Sequence, residues 1–256
     1  MSKPAVLVTG GSARIGGVIS RRFAHAGWHV LVHTRELSDD VTEFVASLPS
    51  AQSVACDLSD ADAAVAMMKQ LAATVPNWRV LVNSAAVFEP DDVTGLDQAT
   101  NAEAMQVNAV TPALMAQTFL ATAQSDAGRR VIHLTDMKLE NPNPDFFSYT
   151  MSKHALASTI AMLADGAAGP DDRVYGLAPG AILASHDQTE SETEVSHLLN
   201  LLGRKTEASE IAEAAYFLAQ GTLRSGESLF VDSGQHLLSQ SRDVIYLARE
   251  KAAVTR

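Results

Sequence analysis

Tyr149 and Lys153 have residue types and a spacing that suit proton transfer. The segment around them has the periodicity of a helix, and residues four apart on a helix lie on the same face. An ammonium group beside a phenol favours the phenolate, lowers the pKa of the tyrosine and makes it usable as an acid or base near neutrality. Asp136 lies thirteen residues before Tyr149, directly after an apolar run at 131–135. These three side chains are the first candidates for catalytic residues.

A glycine-rich turn near the start of the chain could bind phosphate. Residues Thr9 to Gly17 follow the first apolar run, carry four glycines and precede a helical pattern. Glycines let the backbone approach a phosphate, and a helix N-terminus offers free N–H groups and a positive dipole end. This position predicts a dinucleotide site, although structural turns of similar composition are common. The candidate cofactor contacts in the turn are Thr9, Gly10, Ser12, Arg14, Ile15 and Gly16.

The residues that end the second apolar run bear on which dinucleotide binds. An acidic side chain about 20 residues after the turn would hold the ribose of NAD. The chain has His33, Thr34 and Arg35 there, with no carboxylate before Glu36. Arg35 can hold a 2′-phosphate with a forked pair of hydrogen bonds, and Arg14 is a second candidate. The sequence favours NADP(H) over NAD(H); a merely solvated Arg35 is the alternative.

Composition excludes several classes of function. The 256 residues carry 19 Lys and Arg against 30 Asp and Glu, which gives a formal net charge of −11. This excess of negative charge disfavours nucleic acids and anionic membrane surfaces. The single cysteine, Cys56, excludes an internal disulfide and a zinc site built from cysteines. Without a secretory signal or a membrane-spanning run, the sequence predicts a cytoplasmic protein with no metal, nucleic-acid or membrane partner.

Short apolar runs alternate with helical patterns along the chain. The predicted strands cover residues 5–9, 28–33, 53–56, 80–83, 131–135, 174–178 and 228–231, and the predicted helices cover 15–26, 61–74, 102–123, 149–165 and 207–219. Strands without polar alternation are typical of a parallel sheet that is covered on both faces. The pattern predicts one α/β domain over residues 1–256, with a doubly wound, Rossmann-like parallel sheet of about seven strands flanked by helices on both faces.

Three polar stretches are less defined. Residues 89–100 and 183–194 are either lids or solvated connectors, and we expect a substrate lid at about 183–205. Residues 241–256 alternate charged and small apolar side chains, which is compatible with a docking arm or a frayed tail.

Further motifs follow in a fixed order and point to a family. The residues that carry them are Asn83, Ser84, Ala85, Asn108, Pro179, Gly180 and Ile182. Together with the glycine-rich turn and the Tyr149/Lys153 pair, they resemble the short-chain dehydrogenase/reductase family. The resemblance extends over nearly all of the chain, as far as residues 231–234.

The resemblance implies a role for each matching position. Tyr149 would be the proton donor, and Lys153 would modulate its pKa and contact the nicotinamide ribose. Asn108 would support a proton-relay water. Asp57 and Leu58 would contact the adenine. The remaining implied cofactor contacts are Asn83, Ser84 and Ala85 beside the adenine ribose, and Pro179, Gly180 and Ile182 beside the nicotinamide amide. The family also implies a homotetramer formed through helices that begin near Asn101 and Phe147.

Two departures from the family pattern favour one branch. Asp136 stands where the family has a serine, and Arg14 stands where the cofactor turn has its middle glycine. Both departures resemble the pteridine reductase branch, which reduces pterins, dihydromonapterins and folates. A serine suits a carbonyl oxygen, whereas a carboxyl group suits a substrate with ring N–H groups. If ionised, Asp136 would also keep Tyr149 protonated as a donor. A purely structural Asp136 is the alternative.

The expected activity is NADPH-dependent hydride transfer to a pteridine ring. Phe88, or Val87 if the register differs by one, could stack on the flat substrate; a core position for Phe88 is nearly as well supported. The substrate contacts would then be Phe88 or Val87, Asp136 and Tyr149. Two alternatives stay open: a carbonyl or alcohol oxidoreductase that acts on sugars, steroids or acyl groups, and a non-catalytic NADPH-binding sensor or scaffold.

Overall fold

A parallel sheet of seven strands lies at the centre of the molecule. The computed structural model describes residues 2–184 and 188–254, with side chains described as far as residue 251. The strands are β1 (Ala5–Val8), β2 (His29–Thr34), β3 (Ala51–Ala55), β4 (Trp78–Asn83), β5 (Arg130–Leu134), β6 (Arg173–Pro179) and β7 (Ser228–Val231). Their order is β3-β2-β1-β4-β5-β6-β7, with every neighbouring pair parallel. The predicted doubly wound sheet is confirmed.

Helices cover both faces of this sheet. They are α1 (Arg14–His25), α2 (Asp39–Ala46), α3 (Ala61–Thr74), α4 (Gln98–Met105), α5 (Thr111–Thr122), α6 (Phe147–Gly166), α7 (Glu190–Ser196), α8 (Ala208–Ala219) and α9 (Val244–Val254). Successive residues of β1 point to opposite faces: Leu7 packs in one core with Phe119, and Val6 packs in the other with Phe23. Because both faces are buried, the central strand β1 is apolar throughout, whereas the edge strand β3 includes Gln52 and Ser53 and is partly exposed. Within the described ranges, no helix is long and apolar enough to cross a membrane.

The predicted helix at 102–123 is interrupted by a π-helical turn. Helix α4 starts earlier than predicted, at an N-cap where Asp97 accepts a hydrogen bond from the Thr100 N–H, and the turn occupies Gln106–Val110 before α5 begins. Pro112 in the first turn of α5 has no N–H, so the carbonyl of Asn108 loses its usual donor four residues on. The interruption places Asn108 in the turn, facing the end of β4.

Two segments that looked irregular in sequence are helical. Within the polar stretch 183–194, Thr189 and Glu192 form a reciprocal capping box that begins α7. Residues 185–187 of that stretch lie outside the described residues. In the region expected to be an arm or a tail, α9 packs against α7, with Arg249 Nε 3.5 Å from Glu192 Oε1. The C-terminal segment is therefore packed into the folded unit through α7.

Candidate active site

Asp136 and Tyr149 are joined by a hydrogen bond. Asp136 follows β5, and its Oδ1 accepts from the Lys138 N–H at 2.9 Å, which caps a short 3₁₀ helix, Met137–Leu139. The Tyr149 hydroxyl, one turn into α6, donates to Asp136 Oδ2 at 2.8 Å. Both carboxylate oxygens thus have fixed partners, and the side chain of Asp136 is held in one orientation.

The ionisation of this pair differs from the expectation based on Lys153 alone. Burial, followed by the charge of Asp136, raises the pKa of Tyr149 well above its usual value. Burial also raises the pKa of Asp136, although Lys138, the hydrogen bond from Tyr149 and Lys153 act in the opposite direction. The expected lowering of the tyrosine pKa by its lysine neighbour is wrong, because burial and Asp136 raise that pKa; the second expectation, that Asp136 keeps Tyr149 protonated, agrees with this direction. The phenol is a protonated donor at neutral pH.

Lys153 lies on the same helix face as Tyr149, as the spacing predicts. Its Nζ donates to the Leu134 carbonyl at 2.7 Å and lies 5.6 Å from the centre of the Tyr149 ring. Burial lowers the pKa of Lys153 to about 8. The ammonium is fixed at the carboxyl end of β5, on the wall of the same cavity as Tyr149.

Two asparagines hold the backbone beneath the site. Asn108 Oδ1 accepts from the Val87 N–H at 2.8 Å, and its Nδ2 donates to the Val87 carbonyl at 2.9 Å and to Ser152 at 3.0 Å. Asn83 Nδ2 donates to the Pro112 carbonyl. The side chain of Asn108 therefore ties the segment after β4 to α6.

The glycine-rich turn is fastened to the next strand ends. Thr9 Oγ1 accepts from the N–H groups of Ser84 and Ala85 at 2.9 and 3.0 Å. Gly10 has a φ of 61°, and a Cβ at Gly16 would lie 2.2 Å from the Gly10 carbonyl oxygen. The turn needs glycine at these positions because the backbone there is left-handed or closely packed.

His33 lies under the turn instead of facing outward. Its Nδ1 accepts from the Gly10 N–H at 3.3 Å, so its Nε2 carries the proton and donates to the Cys56 carbonyl at 2.9 Å. Burial lowers the pKa of His33 to about 4. The sequence interpretation of a basic strand end that includes His33 is corrected: this imidazole is neutral, and both of its nitrogens bind the protein's own backbone.

Two arginines flank the turn in different ways. Arg14 lines the cavity, has a φ of 49° and donates from Nη2 to the Ala184 carbonyl at 3.1 Å. Arg35 is exposed and lies beside Asp57, whose pKa is lowered chiefly by the Ser59 N–H and to a smaller extent by Arg35. A guanidinium is thus present at the turn and at the end of β2.

A cavity of about 610 Å³ opens at the carboxyl ends of the strands. Of the predicted site residues, it is lined by Gly10, Arg14, Ile15, Gly16, Ser84, Ala85, Phe88, Asp136, Tyr149, Lys153, Pro179, Gly180 and Ile182. The others lie outside its lining: Thr9, Ser12, His33, Thr34, Arg35, Asp57, Leu58, Asn83, Val87 and Asn108. Asp136, Tyr149 and Lys153 therefore share one chamber with the glycine-rich turn, whereas Asn108, which was predicted to support a proton-relay water, lies outside its lining.

Of the two candidates for the stacking position, Phe88 lines the cavity and Val87 does not. The centre of the Phe88 ring lies 4.1 Å from the centre of the Phe146 ring, and these two rings are stacked. It lies 4.7 Å from the centre of the Tyr149 ring, which it meets edge to face. Phe146 stacks in turn on Tyr246 at 6.0 Å. The stack connects the segment after β4 to α9.

Sequence reasoning missed several polar residues of the cavity lining. They are Lys138, Gln188, Ser196, His197, Gln235 and Asp243. Asp243 stood in the sequence between Arg242 and Val244 without a chemical role assigned, and no spacing rule connects it to Asp136. Among the described residues, no group of three His, Cys, Asp or Glu could hold a metal ion.

The fold and this site define a dinucleotide-binding α/β oxidoreductase: a glycine-rich turn, a switch point in strand order between β1 and β4, and an acid–base pair beside it. The chain belongs to the short-chain dehydrogenase/reductase family, whose members use NAD(P)H. Residues 11–236 match the family model described as "Enoyl-(Acyl carrier protein) reductase".

Several characterised proteins resemble the chain over most of its length. It is 32% identical to galactitol 2-dehydrogenase (L-tagatose-forming) of Cereibacter sphaeroides, over 89% of this chain and 92% of the relative. It is 25% identical to dihydromonapterin reductase of Escherichia coli, over 91% and 96%. The structure of FolM alternative dihydrofolate reductase 1 from Brucella canis, complexed with NADP, superposes with a TM-score of 0.86 at 30% identity and covers 94% of this chain and 96% of that one.

Proposed function

We propose that the protein is an NADPH-dependent reductase of a pteridine ring, such as a dihydropterin, dihydromonapterin or dihydrofolate-like compound. The observation that carries the proposal is the hydrogen bond of 2.8 Å between Tyr149 and the buried carboxyl of Asp136. The two groups line one cavity, and both have raised pKa values. The similarity to dihydromonapterin reductase and to the NADP complex of FolM supports the same substrate class.

The residues around the turn fit the phosphates of a dinucleotide. Ala13 at the N-cap of α1 has no side-chain acceptor, and the first turn of α1 carries no acidic residue. The free N–H groups there are available to an anion. Arg14 and Arg35 supply positive charge for a 2′-phosphate, with Asp57 beside Arg35 positioned for the adenine. Thr9 and His33 would act through the backbone that they hold.

The protein's own groups would deliver the proton. The bound cofactor supplies the hydride to a ring carbon of the substrate. When Asp136 is protonated on Oδ2, the hydrogen bond seen between the two groups reverses, so that the carboxyl donates to Tyr149 Oη and the phenolic proton turns to the adjacent ring nitrogen. As Tyr149 gives up that proton, the carboxyl proton passes to Tyr149 Oη. Lys153 holds its ammonium at the carboxyl end of β5, where it can contact the ribose hydroxyls. Phe88 presents an aromatic surface beside Tyr149.

The test follows the oxidation of NADPH and NADH with a panel of dihydropterins, dihydrofolate and ketones, using the parent and Tyr149→Phe. We expect pteridine turnover with NADPH, and a fall of about 100-fold or more in Tyr149→Phe because general acid catalysis contributes that much. Turnover of ketones without turnover of pteridines would refute the branch. A fully active Tyr149→Phe variant would show that Tyr149 is not the proton donor. Tight NADPH binding without turnover of any substrate would favour the alternative of a non-catalytic NADPH-binding sensor or scaffold.

The second candidate is a polyol or carbonyl oxidoreductase, which the 32% identity to galactitol 2-dehydrogenase favours. Galactitol oxidation by the parent would establish it. Asp136→Ser separates the two candidates: in a pteridine reductase it lowers pteridine turnover, whereas in a carbonyl enzyme a serine is the better partner of the substrate oxygen.

We also infer that the protein assembles as a homotetramer. Exposed apolar side chains on and beside the helices that begin near Asn101 and Phe147 support this: Val110, Met151 and Met162 are 43%, 39% and 63% exposed. Light scattering during size-exclusion chromatography tests the assembly, and a monomeric mass would refute it.

A further inference from the structure

A second charged pair lines the cavity beside the acid–base pair. Lys138 Nζ lies 2.6 Å from Asp243 Oδ2, and the two side chains are only 8% and 7% exposed. Lys138 comes two residues after Asp136, whereas Asp243 comes from the segment that begins α9. The proposed reaction uses neither of them.

The chain fixes the direction of both charges. Lys138 Nζ lies 3.5 Å from the Asp145 carbonyl oxygen and 4.9 Å from the centre of the Phe146 ring. Asp243 Oδ1 accepts from the Ile245 N–H at 3.0 Å, and the Asp243 N–H donates to Asp145 Oδ2 at 2.8 Å. A donor and an acceptor are therefore held side by side, and little rearrangement is needed to bind a ligand.

A pair of this kind suits a particular chemical group. A buried ion pair adds little stability compared with apolar side chains of similar volume, so stability alone gives weak grounds for placing one in a cavity wall. The pair carries no net charge and offers an ammonium beside a carboxylate. Its complement is a neutral edge with a hydrogen-bond acceptor next to a donor, which is the pattern of a lactam, C(=O)–N–H.

We propose that Lys138 and Asp243 bind the lactam edge of the substrate, with the ammonium donating to the ring carbonyl and the carboxylate accepting from the neighbouring N–H. The inference rests on the proposed function and names the recognition element within it. In a 2-amino-4-oxopteridine, the C4 carbonyl lies next to N5 on one edge and the N3–H follows it. In this binding mode, Tyr149 with Asp136 would face N5, Lys138 would face the C4 carbonyl, and Asp243 would face N3–H.

The experiment uses ligands that differ at this edge. Pterin carries the 4-oxo lactam; 2,4-diaminopteridine replaces the carbonyl with a donor and the N3–H with an acceptor. Calorimetric titration of the NADP⁺-loaded parent, at a pH where both ligands are neutral, should show pterin binding at least about tenfold tighter, because the second ligand turns a donor towards the ammonium and an acceptor towards the carboxylate. This readout does not require turnover.

The variants are Asp243→Asn, Lys138→Met and the double change Lys138→Met/Asp243→Leu. In each single variant we expect the affinity for pterin to fall about tenfold and the KM for the dihydropterin to rise about tenfold. In the double variant we expect the preference for pterin over 2,4-diaminopteridine to vanish. The double variant guards against misfolding, since apolar replacement of a whole buried pair is often neutral for stability. Unchanged preference in the double variant, or equal losses for both ligands, would overturn the proposal.

A matched ion pair elsewhere gives the control. Arg129 Nη2 and Asp172 Oδ2 lie 2.6 Å apart. The two residues directly precede β5 and β6, at the edge of the sheet opposite to the cavity, and neither lines the cavity. Asp172→Asn should lower thermal stability without changing the pterin preference. If the parent neither binds nor reduces any pteridine, the proposed function itself fails. If it reduces pteridines and the Lys138 and Asp243 variants behave like the parent, only this inference fails.

Discussion

At the scale of single residues, the site depends on which groups hold protons. Asp136 and Tyr149 are both buried, and burial raises both pKa values because it disfavours each charged form. Lys153 is also buried, and its pKa falls to about 8 for the same reason. The hydrogen bond between carboxyl and phenol couples their titrations, and in the proposed reaction the pair would act as one proton-donating unit.

The raised pKa of Asp136 predicts the pH dependence of the reaction. The donor pair is fully protonated below that pKa, so kcat/KM for a dihydropterin should fall as the pH rises through it. Asp136→Asn keeps a hydrogen-bond partner for Tyr149 but cannot supply a proton, so we expect about 100-fold lower turnover and no such fall. Initial rates over the whole pH range in which the parent stays folded measure both. A pH profile that is the same in parent and variant would contradict the role of Asp136.

Arg14 combines a strained backbone with a useful charge. Its φ of 49° lies in the left-handed region, which costs a non-glycine residue about 1 kcal/mol. Arg14→Gly should therefore raise the free energy of unfolding by up to about 1 kcal/mol while weakening NADPH binding about tenfold. Urea denaturation and fluorescence titration measure the two effects. Arg14→Lys, which keeps the charge and the strain, is the control; equal losses of NADH and NADPH affinity in Arg14→Gly would argue against a 2′-phosphate contact.

At the scale of elements, the strand ends position the cofactor turn through side-chain to backbone bonds. Thr9 at the end of β1 receives two N–H groups from the segment after β4, and His33 at the end of β2 receives one from Gly10. Neither side chain lines the cavity. Their effect on cofactor affinity is therefore indirect and passes through the backbone conformation that they hold.

Thr9→Val tests this arrangement. Valine has nearly the same shape as threonine but no acceptor, so the Ser84 and Ala85 N–H groups lose their partner. Each unsatisfied buried group costs about 1–3 kcal/mol, and we expect a loss of about 2–4 kcal/mol in unfolding free energy together with weaker NADPH binding. Thr9→Ser retains the hydroxyl and should stay within about 1 kcal/mol of the parent. If Thr9→Val is as stable as the parent in urea denaturation, the hydrogen bonds from Ser84 and Ala85 to Thr9 do not contribute to stability.

At the scale of the whole molecule, the C-terminal segment completes the cavity. Asp145 is buried and accepts from Arg242 Nε at 2.8 Å and from the Asp243 N–H at 2.8 Å. Asp243, Val244 and Ile245 then line the cavity. The part of the cavity around Asp243 is thus built from residues that lie far apart in the chain, whereas the part around the glycine-rich turn is built mainly from the turn and the neighbouring strand ends.

Asp145→Ala should affect the part of the cavity around Asp243 without affecting the part around the glycine-rich turn. Removing one partner of a buried charge network costs about 3–5 kcal/mol and frees the segment that carries Asp243. We expect lower thermal stability and a higher KM for the dihydropterin, with NADPH affinity close to that of the parent. Arg242→Ala should show a milder version, because the Arg242 side chain is 40% exposed and water can replace it. A raised KM for NADPH with an unchanged KM for the pteridine would contradict this division of the cavity into a substrate-binding and a cofactor-binding part.

Much of this organisation could be predicted from local sequence. The apolar runs predict the parallel sheet because strands covered on both faces have no polar alternation, and the structure confirms it. The glycine-rich turn and the Tyr149/Lys153 spacing are also local patterns. The structure brings both to one cavity, together with Asp136. The register between Val87 and Phe88 was open in the sequence, and only Phe88 lines the cavity.

The sequence by itself determined the sheet, the turn and the identity of the acid–base candidates, because each depends on residues close together in the chain. Tertiary structure alone decided that His33 is neutral beneath the turn, that the Tyr149 pKa is raised, and that Asp243 pairs with Lys138. Burial and contacts between distant segments set these properties, and neither leaves a periodicity in the sequence. Desolvation depends on what surrounds a group in space, so a local pattern could name the charged groups but not their protonation.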